Sequence, residues 1–333
     1  MPYLIKPHLF KQFGNTAEAS GFFLIVDPQY KDKFKIDKTF NFYLKNQISY
    51  SKDVEIEDTI SQIPDFSHVL IIAPHFLSTF SCLHHKILCL GTGSTNMSFN
   101  DIVKTIKIME ATDISFQESW IRNFLSLLTE NQQLKVIDSY SNTEAAFILS
   151  EGNEVGIMGG LMDWGDCWAS VSGECGFFPN NLINNPQNIN LLFNGELTLL
   201  GTPVVSRINE VDHSEQETIF KDLNTIKDNP VILKIQQGKI QDIICSNSSL
   251  NKAANRLKKL LGQNEKYSVI IEIAFGINTN MQIIPGNKLI NEMYGGNNGC
   301  FHIGIGHKSW SDYHIDFICP RSKCYIGNKL VAG

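Results

Sequence analysis

The sequence has no C-x-x-C pair, no cluster of lysine and arginine, and no long apolar run. Its eight cysteines are scattered through apolar surroundings, which is typical of reduced, packed thiols rather than of a zinc ribbon or a disulfide framework. The net charge of -6 and the pI near 5.9 argue against a nucleic-acid-binding protein, which usually presents a basic surface. The longest apolar run, Val69 to Leu77, contains Pro74 and His75 and is too short for a membrane span. The N-terminus lacks the continuous apolar stretch of a signal peptide, so we expect a cytoplasmic protein without nucleic-acid or membrane partners.

Strands alternate with helices in the first half of the chain. Buried strands are predicted over 67–76 and 86–93, and Ser98 followed by Asp101 has the spacing of a helix N-cap with its acidic partner. Helical periodicity covers 115–132. After it, LKVIDS predicts a strand, EAAFILSEG a short helix, and NEVGIMGG another strand. This order predicts an α/β domain with a largely parallel sheet over residues 1–185.

The second half of the chain has a different pattern. Residues 161–190 are irregular and rich in glycine and asparagine, which predicts a long connection or a lid; Asp163, Asp166 and Glu174 are candidates there to line a pocket. Beyond it, strand-like runs recur around one clear helix at 250–263 and a turn at Gln237-Gly238. We therefore predict a β-rich α+β domain over residues 186–333.

Four side chains near the C-terminal end suit a divalent cation, namely Glu272, His302, His314 and Asp316. Each lies in or beside a short run rich in isoleucine and phenylalanine, where a carboxylate or imidazole is costly to bury unless a metal or a hydrogen-bond partner compensates. His314 and Asp316 are two residues apart, so on a strand both side chains point to one face while Ile315 points to the other. This pattern predicts a metal centre in the β-rich domain.

The motifs around these residues occur in an order that resembles a known family. NGE at 194–196, EIAFGIN at 272–278, GCFHIGIG at 299–306 and HID at 314–316 are similar to motifs of the thermophilic-type metallo-aminopeptidases, aminopeptidases T and S. The resemblance covers about residues 185–325. It implies that one or two divalent ions, zinc or cobalt, are bound in the β-rich domain by Glu196, Glu272, His302, His314 and Asp316.

The same resemblance implies a function and partners. A metal-activated water would attack a peptide carbonyl near a free N-terminus, and Glu196 would either hold a metal or shuttle protons as a catalytic residue. The substrate would be a peptide or a small molecule, and the protein would form a homodimer. Family peptidases have a longer segment before the H-x-D motif, whereas only GHKSWSD separates GCFHIGI from YHID here.

Two alternatives remain open from the sequence. The chain also resembles the iron-dependent 2,5-dihydroxypyridine ring-opening dioxygenases in architecture and length, and His302, His314 and Asp316 could supply their facial triad, with Glu272 as an additional ligand. The shortened segment before H-x-D favours another reading, a metal-free, catalytically inactive descendant that acts as a binding or scaffold protein in peptide biosynthesis.

Overall fold

The chain divides into two compact units, each built from two separate segments. The computed structural model describes residues 1–39, 43–52, 55–74, 84–150, 152–168, 173–179, 191–209, 211–245 and 251–333. One unit comprises Met1–Glu118 and Met158–Gly173, and the other comprises Ser119–Ile157 and Glu174–Gly333. The sequence predicted a single domain boundary at residue 185, whereas the chain passes from one compact unit to the other after residues 118, 157 and 173.

The first unit contains a five-stranded parallel sheet in the order β10-β6-β5-β2-β4, and a two-stranded parallel sheet of β1 and β3. Every residue of β2 and β5 is buried, as expected for central strands of a parallel sheet covered on both faces. Its strands are β1 (Tyr3–Ile5), β2 (Phe22–Val26), β3 (Phe34–Ile36), β4 (Asn46–Tyr50), β5 (His68–Ala73), β6 (Lys86–Gly91) and β10 (Cys167–Trp168). Its helices are α1 (Ile56–Ser61), α2 (Phe99–Glu110) and the first part of α3 (Ile114–Glu130).

Helix α2 begins with the predicted N-cap. The Asp101 backbone N–H donates to Ser98 Oγ at 3.2 Å, and the Ser98 backbone N–H donates to Asp101 Oδ2 at 3.1 Å. These two bonds satisfy amide groups that the first turn of a helix otherwise leaves without partners.

A buried histidine lies at the start of β5. The His68 ring stacks on Phe13 and on Trp164, with centroids 4.7 and 5.5 Å apart, and its Nδ1 is 2.7 Å from the Tyr43 hydroxyl. Burial, reinforced by the charge of Lys86, lowers the pKa of His68 to about 3. The imidazole is therefore neutral in the folded chain at neutral pH.

The second unit is β-rich and its paired strands are antiparallel. One sheet has seven strands in the order β15-β14-β12-β8-β7-β19-β20, and another has six in the order β13-β18-β17-β16-β11-β9. The strands of the seven-stranded sheet are β7 (Gln133–Asp138), β8 (Thr143–Ile148), β12 (Leu192–Leu199), β14 (Val231–Gln236), β15 (Lys239–Ile244), β19 (Lys323–Ile326) and β20 (Lys329–Ala332). Those of the six-stranded sheet are β9 (Asn153–Met158), β11 (Glu174–Pro179), β13 (Thr202–Arg207), β16 (Ile270–Gly276), β17 (Cys300–Ile305) and β18 (Tyr313–Cys319).

Helices α4 (His213–Leu223) and α5 (Lys252–Gln263) lie in this unit, together with the second part of α3. Helices α4 and α5 pack against each other, and the Arg256 Nε–H of α5 donates to Asp222 Oδ2 of α4 at 2.8 Å. The predicted fold class, an α/β region with a largely parallel sheet and a β-rich region, is thus confirmed.

Residues of the six-stranded sheet alternate between an apolar face and a polar one. Phe275, Phe301 and Phe177 lie on the apolar face, where Phe275 is 5.8 Å from Phe301 and 5.3 Å from Phe124 of α3 between ring centroids. The opposite face carries the even-numbered residues of β16, β17 and β18. Because the apolar face is fixed by this aromatic packing, the register places the polar side chains together on the other face.

Some predicted elements differ from the structure. EAAFILSEG was predicted as a helix, but Thr143–Ile148 forms strand β8, because Thr143, Ala145 and Phe147 alternate as buried residues between two partner strands. The stretch predicted as an irregular connection contains β11, while 169–172 and 180–190 lie outside the described residues. The seven cysteines of the described chain are free thiols, and no described helix combines the length and apolarity needed to cross a membrane.

Candidate metal centre

Four adjacent strands of the six-stranded sheet bring carboxylates and imidazoles to one face. Glu174 lies on β11, Glu272 on β16, His302 on β17, and His314 and Asp316 on β18. Glu272 and Asp316 both lie directly opposite Gly304, and Glu174 lies opposite Gly276, which aligns the side chains across the strands. All five residues belong to the second unit.

The five side chains form two groups that share one carboxylate. His302 Nε2 is 3.0 Å from Glu174 Oε1 and 3.3 Å from Glu272 Oε1. The other oxygen of that carboxylate, Glu272 Oε2, is 3.2 Å from His314 Nε2, which in turn is 2.9 Å from Asp316 Oδ1. Within each group the donor atoms lie within 4.8 Å of one another, close enough to surround a metal ion. Glu272 is therefore placed to bridge two positions.

The charges of the centre are largely removed from water. The side-chain exposure is 0% for His302, 1% for Asp316 and 24% for His314, so the centre opens to solvent mainly at His314. Burial raises the pKa of Glu174 above its ordinary value, an effect that His302 opposes. Burial alone would also raise the pKa of Glu272, but hydrogen bonds from His302 and His314 hold it well below its usual range.

Burial by itself lowers the pKa of both imidazoles, and their carboxylate neighbours reverse the effect. Hydrogen bonds with Glu174 and Glu272 raise the pKa of His302 to about 10. Asp316 and Glu272 raise the pKa of His314 well above its ordinary value. In the absence of a metal, protons on these rings therefore balance the carboxylate charge, and a cation has to displace them.

One histidine is oriented by a backbone contact. His314 Nδ1 is 2.8 Å from the Gly306 carbonyl oxygen, which can only accept a hydrogen bond, so Nδ1 carries a proton and donates it. Nε2 then faces Glu272 and Asp316 and is the ring atom available to a metal. Fixing the tautomer in this way is common for histidine ligands of metals in proteins.

Gly304 keeps the space between the two carboxylates open. A Cβ at this position would lie 2.8 Å from His314 Cε1, 2.9 Å from Asp316 Oδ1 and 2.9 Å from Glu272 Cβ. Contacts this short would force the ligand groups apart. A glycine at the centre of the row Glu272–Gly304–Asp316 thus leaves room for an ion and keeps its donors close.

A further carboxylate reaches the centre from outside the sheet. Glu292 lies in a 3₁₀ turn, Leu289–Met293, whose backbone can approach β16 because Gly276 has no side chain; a Cβ there would overlap the carbonyl oxygens of Glu292 and Tyr294. Burial, followed by the charge of Asp316, raises the pKa of Glu292 well above its ordinary value. Glu292 is therefore a buried carboxyl group facing the centre.

Several buried polar atoms of the centre lack hydrogen bonds, which fits a site for a cation. Neither carboxylate oxygen of Asp316 accepts a well-oriented hydrogen bond within the described residues, and the same holds for Glu292 Oε1. Asp316 Oδ1 keeps only its ion-pair contact with His314 Nε2 at 2.9 Å, and a metal ion would supply the partners that these buried oxygens lack. The donor set, oxygen and imidazole nitrogen without thiolate, suits zinc, cobalt, manganese or iron.

The structure brings together all the predicted ligands except Glu196. Glu196 lies on β12 in the seven-stranded sheet, opposite Lys234 of β14, and neither ligand group includes it. Glu174 was predicted only as a residue that could line a pocket, and Glu292 was not predicted at all. Cys175 and Phe177, two residues apart, lie opposite Phe275 and Ile273 on the apolar face, and their spacing is the sequence signal that would have placed Glu174 on the other face of β11. No comparable sequence signal marks Glu292, because its position depends on packing against Gly276.

A comparison with protein families classifies most of the chain. A family model described as crocagin biosynthetic protein CgnE/B matches residues 52–326. The chain belongs to this family. A search of curated proteins gave no match for this CgnE/B-family chain.

Two solved structures resemble the CgnE/B-family chain. The 2,5-dihydroxypyridine dioxygenase from Pseudomonas putida KT2440 matches with a TM-score of 0.58 and 11% identity, covering 98% of this chain and 94% of that one. It shares the fold. Wild-type AmpT from Thermus thermophilus matches with a TM-score of 0.43 and 10% identity, covering 95% and 93% of the two chains.

Proposed function

We propose that this CgnE/B-family chain is a metal-dependent hydrolase that cleaves an amide or peptide bond near a free N-terminus. The observation that carries the proposal is the shared carboxylate. Glu272 turns one oxygen to His302, at 3.3 Å, and the other to His314, at 3.2 Å. A carboxylate with one oxygen towards each of two ligand groups suits a pair of divalent ions, the arrangement used by many metal-dependent hydrolases.

The two ligand groups would each hold one ion and share Glu272. Glu174 and His302 would hold one ion with Glu272, and His314 and Asp316 would hold the other. Ions bound there supply Lewis acidity and a nucleophilic water at neutral pH. Because His314 is the most exposed ligand, the substrate approaches the centre from the end at which His314 lies.

Glu292 takes the proton-transfer role that the sequence assigned to Glu196. Its carboxyl group faces Asp316 from outside the sheet and belongs to neither ligand group. A carboxyl group with a raised pKa at the edge of such a centre is placed to deliver its proton to the leaving amine. Glu196 lies on β12 of the seven-stranded sheet and belongs to neither ligand group.

The grouping of the ligands supports the hydrolase proposal over the iron-dependent dioxygenase alternative. A facial triad needs two histidines and one carboxylate around a single ion. Among the described residues, His302 and His314 fall in different ligand groups, and each group contains two carboxylates. This arrangement favours two carboxylate-rich positions over a single triad.

Metal stoichiometry tests the proposal. Protein freed of metal with a chelator is incubated with Zn²⁺, Co²⁺, Mn²⁺ or, without oxygen, Fe²⁺, and its metal content is measured after gel filtration. We expect two ions per chain, reduced in His314→Ala and Asp316→Asn, and unchanged in Glu196→Gln, a matched carboxylate change outside the centre. Failure to bind any of these ions would remove the hydrolase and dioxygenase readings together and leave a binding or scaffold protein.

Peptide cleavage tests the reaction itself. The loaded protein is incubated with short peptides that differ only in having a free or an acetylated N-terminus, and new amines are quantified. We expect cleavage of the free form, its loss in Glu272→Gln and its persistence in Glu196→Gln. One iron per chain with oxygen-dependent consumption of a dihydroxypyridine would instead establish the dioxygenase.

A further inference from the structure

An apolar cluster lies on the same face of the six-stranded sheet as the metal ligands. Val204 of β13 lies directly opposite Asp316, and Ile318 of β18 lies directly opposite His302, so both side chains share the face of these two ligands. Residues of the connection between β16 and β17 pack against this part of the sheet. Together they form what we call the apolar wall, namely Val204, Cys300 and Ile318 of the sheet and Ile283, Leu289 and Tyr294 of the connection.

Part of the apolar wall remains accessible to a ligand. Its three sheet residues are at most 3% exposed and form the floor, whereas its three connection residues are only half-buried. Leu289 begins the 3₁₀ turn that carries Glu292, and side chains three residues apart in such a turn lie on the same side. Because Glu292 faces Asp316, Leu289 lies beside the metal centre.

The connection is held against the edge of the sheet in the absence of a ligand. Asn287 Nδ2 donates to the Val205 carbonyl at 2.8 Å, and the Val205 N–H donates to Asn287 Oδ1 at 2.9 Å, so one side chain joins the connection to the edge strand β13. Within the connection, Asn291 makes the same pair of bonds with the backbone of Ile284, at 2.9 and 2.8 Å. A wall that is already ordered loses little conformational entropy when a ligand binds.

The apolar wall and the exposed metal ligand lie at opposite ends of the centre. His314 and Ile318 are four residues apart on β18, which corresponds to about 13 Å along the strand, and Asp316 lies between them. The centre opens to solvent at His314, whereas the connection covers the end at Ile318. A peptide that enters past His314 with its free N-terminus foremost therefore carries its first residue to the apolar wall.

We propose that the apolar wall receives the side chain of the N-terminal residue of the substrate and so selects peptides that begin with an aliphatic or aromatic residue. The inference rests on the proposed function for the direction in which the substrate enters. An apolar side chain gains free energy when it leaves water for this surface, whereas a polar one of the same shape gives up hydrogen bonds to water. Leucine and asparagine are such a pair, since their side chains match in shape and differ in polarity.

Paired peptides test the selection. The metal-loaded chain is incubated with Leu-Ala-Ala and Asn-Ala-Ala, and with Ala-Leu-Ala and Ala-Asn-Ala, and kcat/KM is measured for each. We expect a leucine-to-asparagine ratio of at least about tenfold at the first position, from the burial of one leucine side chain, and a smaller ratio at the second. A ratio near one at the first position, or an equal or larger ratio at the second, would overturn the proposal.

Equilibrium binding separates this inference from the hydrolase proposal. Free leucine and free asparagine are titrated calorimetrically into the full chain in the presence of Zn²⁺, an assay that needs no cleavage. We expect leucine to bind at least about tenfold more tightly than asparagine. Tighter binding of leucine without cleavage of any peptide would remove the hydrolase and keep the role of the apolar wall. Equal binding of the two, or binding of neither, would remove that role.

Variants locate the selection at the apolar wall. Leu289→Ala and Ile283→Ala each remove an accessible part of it, and we expect Leu289→Ala to lower the first-position ratio by at least about threefold. Ile284→Ala is the matched control, because Ile284 is adjacent to Ile283 and also half-buried but does not belong to the wall. The ratio compares two substrates on one protein, so a general loss of activity cancels. An unchanged ratio in both wall variants, or an equal loss in the control, would contradict the proposal, and thermal denaturation verifies that each variant is folded.

Discussion

Adding a single methyl group at Gly304 is the most direct perturbation of the candidate metal centre. The new Cβ would lie 2.8–2.9 Å from atoms of His314, Asp316 and Glu272, whereas non-bonded carbon atoms are most stable at about 3.5–4.0 Å. These neighbours must retreat by about 0.7 Å to relieve the contacts, while ligand distances in a metal site tolerate about 0.2 Å. We therefore expect Gly304→Ala to bind Zn²⁺ or Co²⁺ at least about tenfold more weakly than the native chain.

The assay is competition for the metal against a chromophoric chelator, with thermal denaturation in the presence and absence of metal. Overpacking should cost the metal-free protein about 1–3 kcal/mol, which denaturant titration measures separately. Gly262→Ala is the matched control, since nothing lies within 4 Å of a Cβ there and the position is on helix α5. That change should leave metal binding intact and stabilise the chain by about 0.5–1 kcal/mol. A folded Gly304→Ala chain with native metal affinity would refute the assignment of the ion positions.

Three further predictions concern stability. The unfolded pKa of His68 is near 6.5 and its folded pKa is about 3, so the unfolded chain binds the extra proton as the pH falls. The contribution of His68 to stability should therefore drop by about 2 kcal/mol between pH 7.5 and 5, and His68→Gln should remove this component from the pH dependence measured in denaturant titrations. Ser98→Ala removes the acceptor for the Asp101 N–H and should cost about 1 kcal/mol, with Ser98→Gly costing less. Arg256→Met breaks the partly buried contact with Asp222 and should lower stability by about 1 kcal/mol in urea, whereas an unchanged midpoint would show that this pair contributes nothing.

The residues of the candidate centre that the sequence identified are those whose strands have unambiguous periodicity. Glu272, His302, His314 and Asp316 lie on strands whose alternate residues are large and apolar, so the face of each side chain follows from its position. Glu196 also lies on a strand, but a strand pattern does not specify its sheet. Pairing of β12 with β14 and β8 places Glu196 outside the centre, and this depends on contacts across the whole unit.

The segment at β8 shows why local propensity was insufficient. Glu144, Ala145 and Ala146 favour a helix when considered alone. In the folded chain, hydrogen bonds to β7 and β12 on its two sides and the burial of Phe147 decide the conformation. Similarly, the unit boundaries could not be predicted, because β7 and β8 pair with strands that are far along the chain.

The two ligand groups depend on strand pairs that lie at different separations along the chain. Strands β16, β17 and β18 follow one another and pair in succession, so the group of Glu272, His314 and Asp316 arises from a continuous meander whose connections are residues 277–299 and 306–312. The group completed by Glu174 requires β11, which enters the sheet from much earlier in the chain and closes a far longer loop at greater entropic cost. We therefore expect the pairing of β11 with β16 to be the step of folding that completes the centre.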